Sequence, residues 1–111
     1  MKRIASGAVL AAVLALPAMT SAQDAALAEK GKAVYTTNKC QTCHAVEGKG
    51  NKKYPLDGVG KKLSAEEISS WITDPKSMEA KLETKPKIHM KAYKLADDDL
   101  KALVAYMQSL K

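Results

Sequence analysis

Three of the four cysteine and histidine residues in this 111-residue sequence fall within one pentapeptide, Cys40-Gln41-Thr42-Cys43-His44. C-x-x-C-H is the pattern for covalent attachment of haem. On a helical turn, residues three and four apart share a face. Cys40 and Cys43 then reach the two vinyl groups on one porphyrin edge, and His44 projects the same way to meet the iron. Three other chemistries compete. A structural zinc site needs four ligands, which would take Cys40, Cys43, His44 and His89, every Cys and His present. The adjacency of Cys43 and His44 also departs from zinc-finger spacing. A thioredoxin-like dithiol sits beside a βαβ pattern, and no strand pattern is visible. A plain disulfide suits an exported protein but leaves His44 unexplained. The reading is one covalently bound haem c, held by Cys40 and Cys43 with His44 on the iron.

Export is expected from the start of the chain. Met1-Lys2-Arg3 is a positive leader, Ile4 to Leu16 is an uncharged, mostly apolar run of 13, and Pro17 breaks it. Thr20-Ser21-Ala22 supplies small residues for a signal peptidase, so residues 1–22 read as a signal peptide cleaved before Gln23. Thirteen residues rise only about 20 Å as a helix, short of the ~30 Å hydrocarbon core that a retained anchor would cross. Residues 23–111 then form one exported, soluble domain. Loss of Lys2 and Arg3 lowers the formal charge from +6 to +4. A chain this short often needs a staple to be stable. It has no Phe, one Trp and four Tyr, and a haem would supply the missing apolar bulk.

Around the pentapeptide the pattern is helical. Leu27, Gly31, Val34 and Tyr35 recur at helical spacing from Asp24 to about Asn38, and residues 40–46 could continue as a helical turn. Residues 47–62, rich in Gly and Lys, read as loop. Ser64 and Glu67 form a capping box ahead of Ile68, Trp71 and Ile72, and Asp74-Pro75 ends that helix. One short helix is expected within Ser77–Leu82. Asp97, Asp98 and Asp99 place negative charge on the first turn of a last helix, striped by Leu100, Leu103, Val104, Met107 and Leu110. The fold class is all-α.

The pieces GKAVYTTNKCQTCHAVEG, YPLDGVG, LSAEEISSWITDP, KIHMKAY and LADDDLKALVAYMQSLK, in that order, resemble the small bacterial class I cytochromes c over nearly all of residues 25–111. The resemblance implies a small cytochrome c fold whose N- and C-terminal helices cross over the haem, with Gly31 and Tyr35 meeting Leu103 and Tyr106. It implies that the Pro55 carbonyl accepts from the far nitrogen of His44, a bond that fixes the tautomer and raises ligand basicity; alternatively Pro55 only shapes a turn. It places Trp71 near a haem propionate, with plain core packing as the alternative. It makes Met90 the sixth ligand, ahead of Met78 and His89, although Lys91 stands where the family often has proline. Ala96 stands where the family usually has a Ser or Thr cap, so Asp97 is expected to cap instead.

A His/Met iron leaves no open position for substrate and has a raised potential. The sequence therefore reads as a periplasmic, monomeric electron carrier and not an enzyme. Lys39, Lys49, Lys52 and Lys53, with Lys85, Lys87, Lys91 and Lys94, would surround the haem edge and steer redox partners with an acidic docking surface. Export and the lack of a binding motif speak against nucleic acid. The competing readings are a dedicated haem subunit of a respiratory or oxidising complex, and a haem sensor or weak peroxidase with a labile sixth ligand.

Overall fold

The computed structural model describes residues 21–111, so residues 1–20 of the expected leader lie outside the described residues. Helix α1 (Ser21–Thr37) leads into a 3-10 turn, Cys40–Thr42. Three very short strands follow, β1 (His44–Val46), β2 (Lys49–Gly50) and β3 (Tyr54–Pro55). Helices α2 (Val59–Lys62), α3 (Ala65–Thr73) and α4 (Pro75–Glu79) lead through a long loop to α5 (Asp97–Ser109).

Mostly helical architecture agrees with the expectation, while residues 43–58 depart from it. The helical turn stops at Thr42 and His44 opens a strand; β1 pairs antiparallel with β2 and parallel with β3. Glu47 and Gly48, both at positive φ, make the reversal between β1 and β2. These pairs are two residues long, too short to leave a period-2 pattern in the sequence. Part of the expected loop is helix α2, whose backbone is drawn in close where the Gly60 N–H donates to the Leu110 carbonyl at 2.8 Å.

The capping box is present in full: Ser64 Oγ accepts from the Glu67 N–H at 3.2 Å, and Glu67 Oε1 accepts from the Ser64 N–H at 3.0 Å. Asp74 ends α3 and caps α4, so the short helix begins at Pro75, earlier than expected, with proline in the first turn, where its missing N–H costs nothing. Helix α5 starts at Asp97 with Ala96 at the cap position and no side-chain cap. The expected Asp97 cap is therefore corrected: Asp97 is already helical, and the three aspartates act on the exposed N–H groups through charge.

Val34, Tyr35, Ile68, Ile72, Leu103 and Met107 form the buried core. The α1–α5 contact depends on Gly31, whose missing side chain admits the Ala102 backbone and the Tyr106 Cβ. Tyr35 and Tyr106 meet edge to face, with ring centroids 5.6 Å apart.

Candidate functional site

One cavity of about 640 Å³ draws its walls from all five helices, the 3-10 turn, β1, β3 and the long loop, within the roughly 300–1,000 Å³ usual for ligand sites. Cys40, Cys43 and His44 enter from the segment after α1, Trp71 and Ile72 from α3, Leu103 and Met107 from α5, and His89 and Met90 from the long loop. The wall is overwhelmingly apolar.

The 3-10 turn settles how the thiols are presented. The Cys43 N–H donates to the Cys40 carbonyl at 3.1 Å. In such a turn, side chains at i and i+3 eclipse, so both sulfurs leave the backbone on one side. Both thiols are free, Cys40 half-buried and Cys43 exposed. Burial pushes the Cys40 thiol above its usual pKa; a hydrogen bond with its own backbone and the nearby Lys91 pull against that rise, and Cys43 adds to it.

His44 is held by its far nitrogen. Its Nδ1 lies 2.9 Å from a backbone carbonyl, and that carbonyl belongs to Tyr54. The Pro55 assignment is thus corrected by one residue. Parallel pairing sets His44 beside Tyr54 and Ala45 beside Pro55, so the Tyr54 carbonyl meets the ring, while Pro55 is exposed and outside the cavity lining. A carbonyl only accepts, so Nδ1 carries the proton and Nε2 is the nitrogen left for a metal.

Asn51, which sequence reasoning passed over, ties this segment together. Its N–H lies 3.1 Å from the Gln41 carbonyl and 3.0 Å from that of His44. Its Nδ2 donates to the Thr42 carbonyl at 3.1 Å, and its Oδ1 accepts from the Lys53 N–H at 3.0 Å. An asparagine in a lysine-rich loop carries no sequence signal beyond turn propensity.

Trp71 and Met90 both line the cavity, and Met90 also packs against the core. His89 lines it as well, but its side chain is 67% exposed and its Nδ1 lies 2.7 Å from Glu79 Oε2. Met78 is not among the lining residues. Of the lysines, Lys39 and Lys91 border the cavity, with Lys91 Nζ 4.9 Å from the centre of the Tyr93 ring. Lys85 is committed elsewhere: its Nζ donates to the carbonyls of Glu79, Ala80 and Leu82 at 2.7, 3.0 and 2.7 Å.

Tyr35 adds a buried hydroxyl to the lining, without a hydrogen-bond partner. Its pKa is pushed up to about 12, by burial first, then by the Cys40, Tyr106 and Asp57 charges. Among the described residues no cluster of three or more His, Cys, Asp or Glu side chains could hold a bare metal ion.

An apolar chamber of this size, with two thiols and an imidazole on one short segment of its wall, fits a large flat cofactor tethered to the chain, the mark of c-type haem proteins. Comparison with known proteins leads to the same class: the chain belongs to the cytochrome c family, whose model matches residues 28–111. Membership carries covalently bound haem c and haem-based electron transfer. The chain is also similar to cytochrome c oxidase subunit 2 of Alkalihalophilus pseudofirmus (strain ATCC BAA-2126 / JCM 17055 / OF4). The two are 34% identical over 95 residues, covering 77% of this chain and 26% of that subunit. The chain thus spans about a quarter of that relative's length. No solved structure gives a significant match.

Proposed function

We propose that the protein is a periplasmic carrier of single electrons between redox proteins, freed from a signal peptide ending at Ala22 and acting as a monomer without catalytic turnover. Cys40 and Cys43 would hold one haem c through thioethers, and His44 Nε2 and Met90 Sδ would ligate its iron. When bound, that haem supplies an iron that alternates between two oxidation states. The observation that carries this reading is the His44 Nδ1–Tyr54 carbonyl bond, since it leaves Nε2 free in a cavity that Met90 also lines.

Each residue then has a defined task. The Tyr54 carbonyl keeps His44 in one tautomer and raises its basicity. Met90 fills the position a substrate would need and raises the potential. The apolar walls exclude water, which limits the reorganisation that accompanies a change of charge. Trp71, on the cavity wall, supports a haem contact in addition to its place beside Ile72. The crossing of α1 and α5 over the haem is supported by the close seat of Gly31 on Ala102. Lys39 and Lys91 at the cavity border, with the neighbouring loop lysines, would attract an acidic partner.

A second reading is a haem domain held permanently within a respiratory complex, favoured by the likeness to an oxidase subunit. A partner that co-purifies through high salt would select it over the free carrier.

The test is spectroscopic. Colour that stays on the polypeptide through acid-acetone extraction and a pyridine haemochrome of one haem per chain are expected; haem lost to the solvent refutes the thioethers. Oxidised protein should show the weak far-red band of methionine sulfur on ferric haem. Met90→Ala should abolish it and open the reduced iron to carbon monoxide. A band that survives Met90→Ala refutes the ligand assignment. If the wild-type iron is already open, the sensor or peroxidase reading replaces the carrier.

A further inference from the structure

The loop that carries Met90 has little backbone structure of its own. Among the described residues, no backbone–backbone hydrogen bond outside helices and strands involves residues 83–92; the bonds stop at Leu82 N–H to Glu79 carbonyl and resume at Tyr93 N–H to Ile72 carbonyl. Between these points the polar attachments run to the same place. Lys85 Nζ reaches the carbonyl of Glu79 and those of Ala80 and Leu82, and His89 Nδ1 reaches the Glu79 carboxylate at 2.7 Å. Glu79 is 9% exposed and is the sole buried charged residue among the described residues. Burying a carboxylate costs several kcal/mol unless it is paired, and its neighbours include this imidazole.

That pairing matters because of what His89 otherwise is. It adjoins Met90, lines the same cavity and is a strong iron donor. A carboxylate only accepts, so His89 donates its Nδ1 proton to Glu79, and the ring stays at the rim, two-thirds exposed. Met90, packed on the core, is turned inward. We infer that Glu79 is a positioning residue that selects the axial ligand: its carboxylate holds the His89 ring at the rim and keeps the iron position for Met90. This rests on the His/Met reading above and names the device that secures it. Lys85 serves the same loop in a different way, closing its first half onto the end of α4 through backbone carbonyls.

The experiment uses the full-length haem-loaded protein and reads the far-red methionine band, the haem electron paramagnetic resonance and the rate of carbon monoxide binding to reduced protein. In Glu79→Ala, His89 should displace Met90 in a measurable fraction of molecules, giving a bis-histidine signal, a weaker band and a lower potential. Loss of one hydrogen bond to a charged group corresponds to about a ten- to hundredfold shift in the His-to-Met ratio. Glu79→Gln, which keeps the volume and an accepting oxygen, should fall between. In Glu79→Ala with His89→Ala the competitor is gone, and the methionine band should return. If the double variant does not regain the band, Glu79 only supports the fold and the inference is wrong. It is equally wrong if Glu79→Ala leaves band and ligand signal unchanged, or if wild type is already bis-histidine. Failure of covalent haem attachment itself would overturn the functional reading instead, and acid-acetone extraction separates the two.

Discussion

Replacing Gly31 by alanine should destabilise the protein, although helix propensity alone predicts the reverse. In the middle of α1, Gly→Ala is worth about 1 kcal/mol in favour of the helix. The new methyl, however, would lie 2.5 Å from the Ala102 carbonyl carbon, closer still to its oxygen, and 2.7 Å from the Tyr106 Cβ. Ordinary contact begins near 3.4 Å, so clearing the carbonyl carbon alone takes about 0.9 Å and its nearer oxygen takes more. Two of the three obstacles are backbone and the third is a Cβ, so no rotamer change relieves them. Overpacking of this kind costs about 1–3 kcal/mol and sometimes more; with no soft neighbour the upper end applies. The net loss is about 2 kcal/mol, or about 8–16 °C in melting temperature for a domain of this size. Thermal unfolding of the haem-loaded protein, followed by far-ultraviolet circular dichroism and haem absorbance, measures it. Ala33→Gly on the exposed side of the same helix supplies the propensity scale, with an expected loss of about 1 kcal/mol. If Gly31→Ala melts at or above wild type, α1 and α5 do not approach as closely as described, and the reasoning fails. Because Tyr35 and Leu103 line the cavity from these two helices, the Soret signal of the His44-held haem should change at the same temperature as the helices.

Gly50 has φ 106° and sits against the His44 and Gln41 carbonyls, so Gly50→Ala should shift β1 and lower the yield of correctly ligated haem, seen as a changed Soret band; normal yield and spectrum would count against the role given to this turn. Asn51→Ala should cost about 0.5–1.5 kcal/mol in urea unfolding and broaden the His44 ring resonances, since the Thr42 carbonyl and Lys53 N–H lose their partner; an unchanged midpoint refutes its bridging role. The Tyr35 phenol, with its pKa raised to about 12, favours the neutral ring in the fold. Its contribution is complete below the unfolded value near pH 10 and is lost as pH rises from 10 towards 12. Tyr35→Phe should therefore flatten alkaline unfolding in that window and leave acid unfolding alone. Electron exchange with an acidic partner should slow as salt rises from 0.1 to 1 M, where the screening length falls from about 10 to about 3 Å; a flat rate would remove lysine steering from the account.

What could be read from sequence follows the range of the interactions involved. The pentapeptide, the capping box at Ser64 and the stripe along α5 are local patterns, visible within a few residues. Gly31 was visible as a small residue on an apolar face, but Ala102, its fully buried counterpart, was absent from the expected stripe because alanine does not advertise burial. The short strands were illegible, since two-residue pairs depend on how Glu47 and Gly48 turn the chain. That omission explains the error at Pro55: without the register, nothing distinguishes the carbonyl of residue 54 from that of residue 55. Asn51, Glu79 and Lys85 act through carbonyls or partners as far as ten residues away, and nothing in their local sequence marks them.

The two sides of the proposed haem site therefore rest on different physics. His44 is fixed by strand pairing, a backbone carbonyl and the Asn51 bridge, all within residues 41–56. A segment that short can form before the rest of the chain closes, which suits a motif that must present two thiols and an imidazole for covalent attachment. Met90 sits on a loop secured chiefly by side chains at Glu79 and Lys85 and by the packing of Met90 and Tyr93 on the core, so its position depends on α3, α4 and α5 already being in place. The order of strength follows: on heating, the methionine side should yield first, with loss of the far-red band below the temperature at which the helices melt, while His44 stays bound until α1 and α5 separate. A single coincident transition for both ligands would mean that the Met90 loop is as firmly built as the His44 segment, and that the Glu79 and Lys85 attachments contribute more to the fold than their exposed loop suggests.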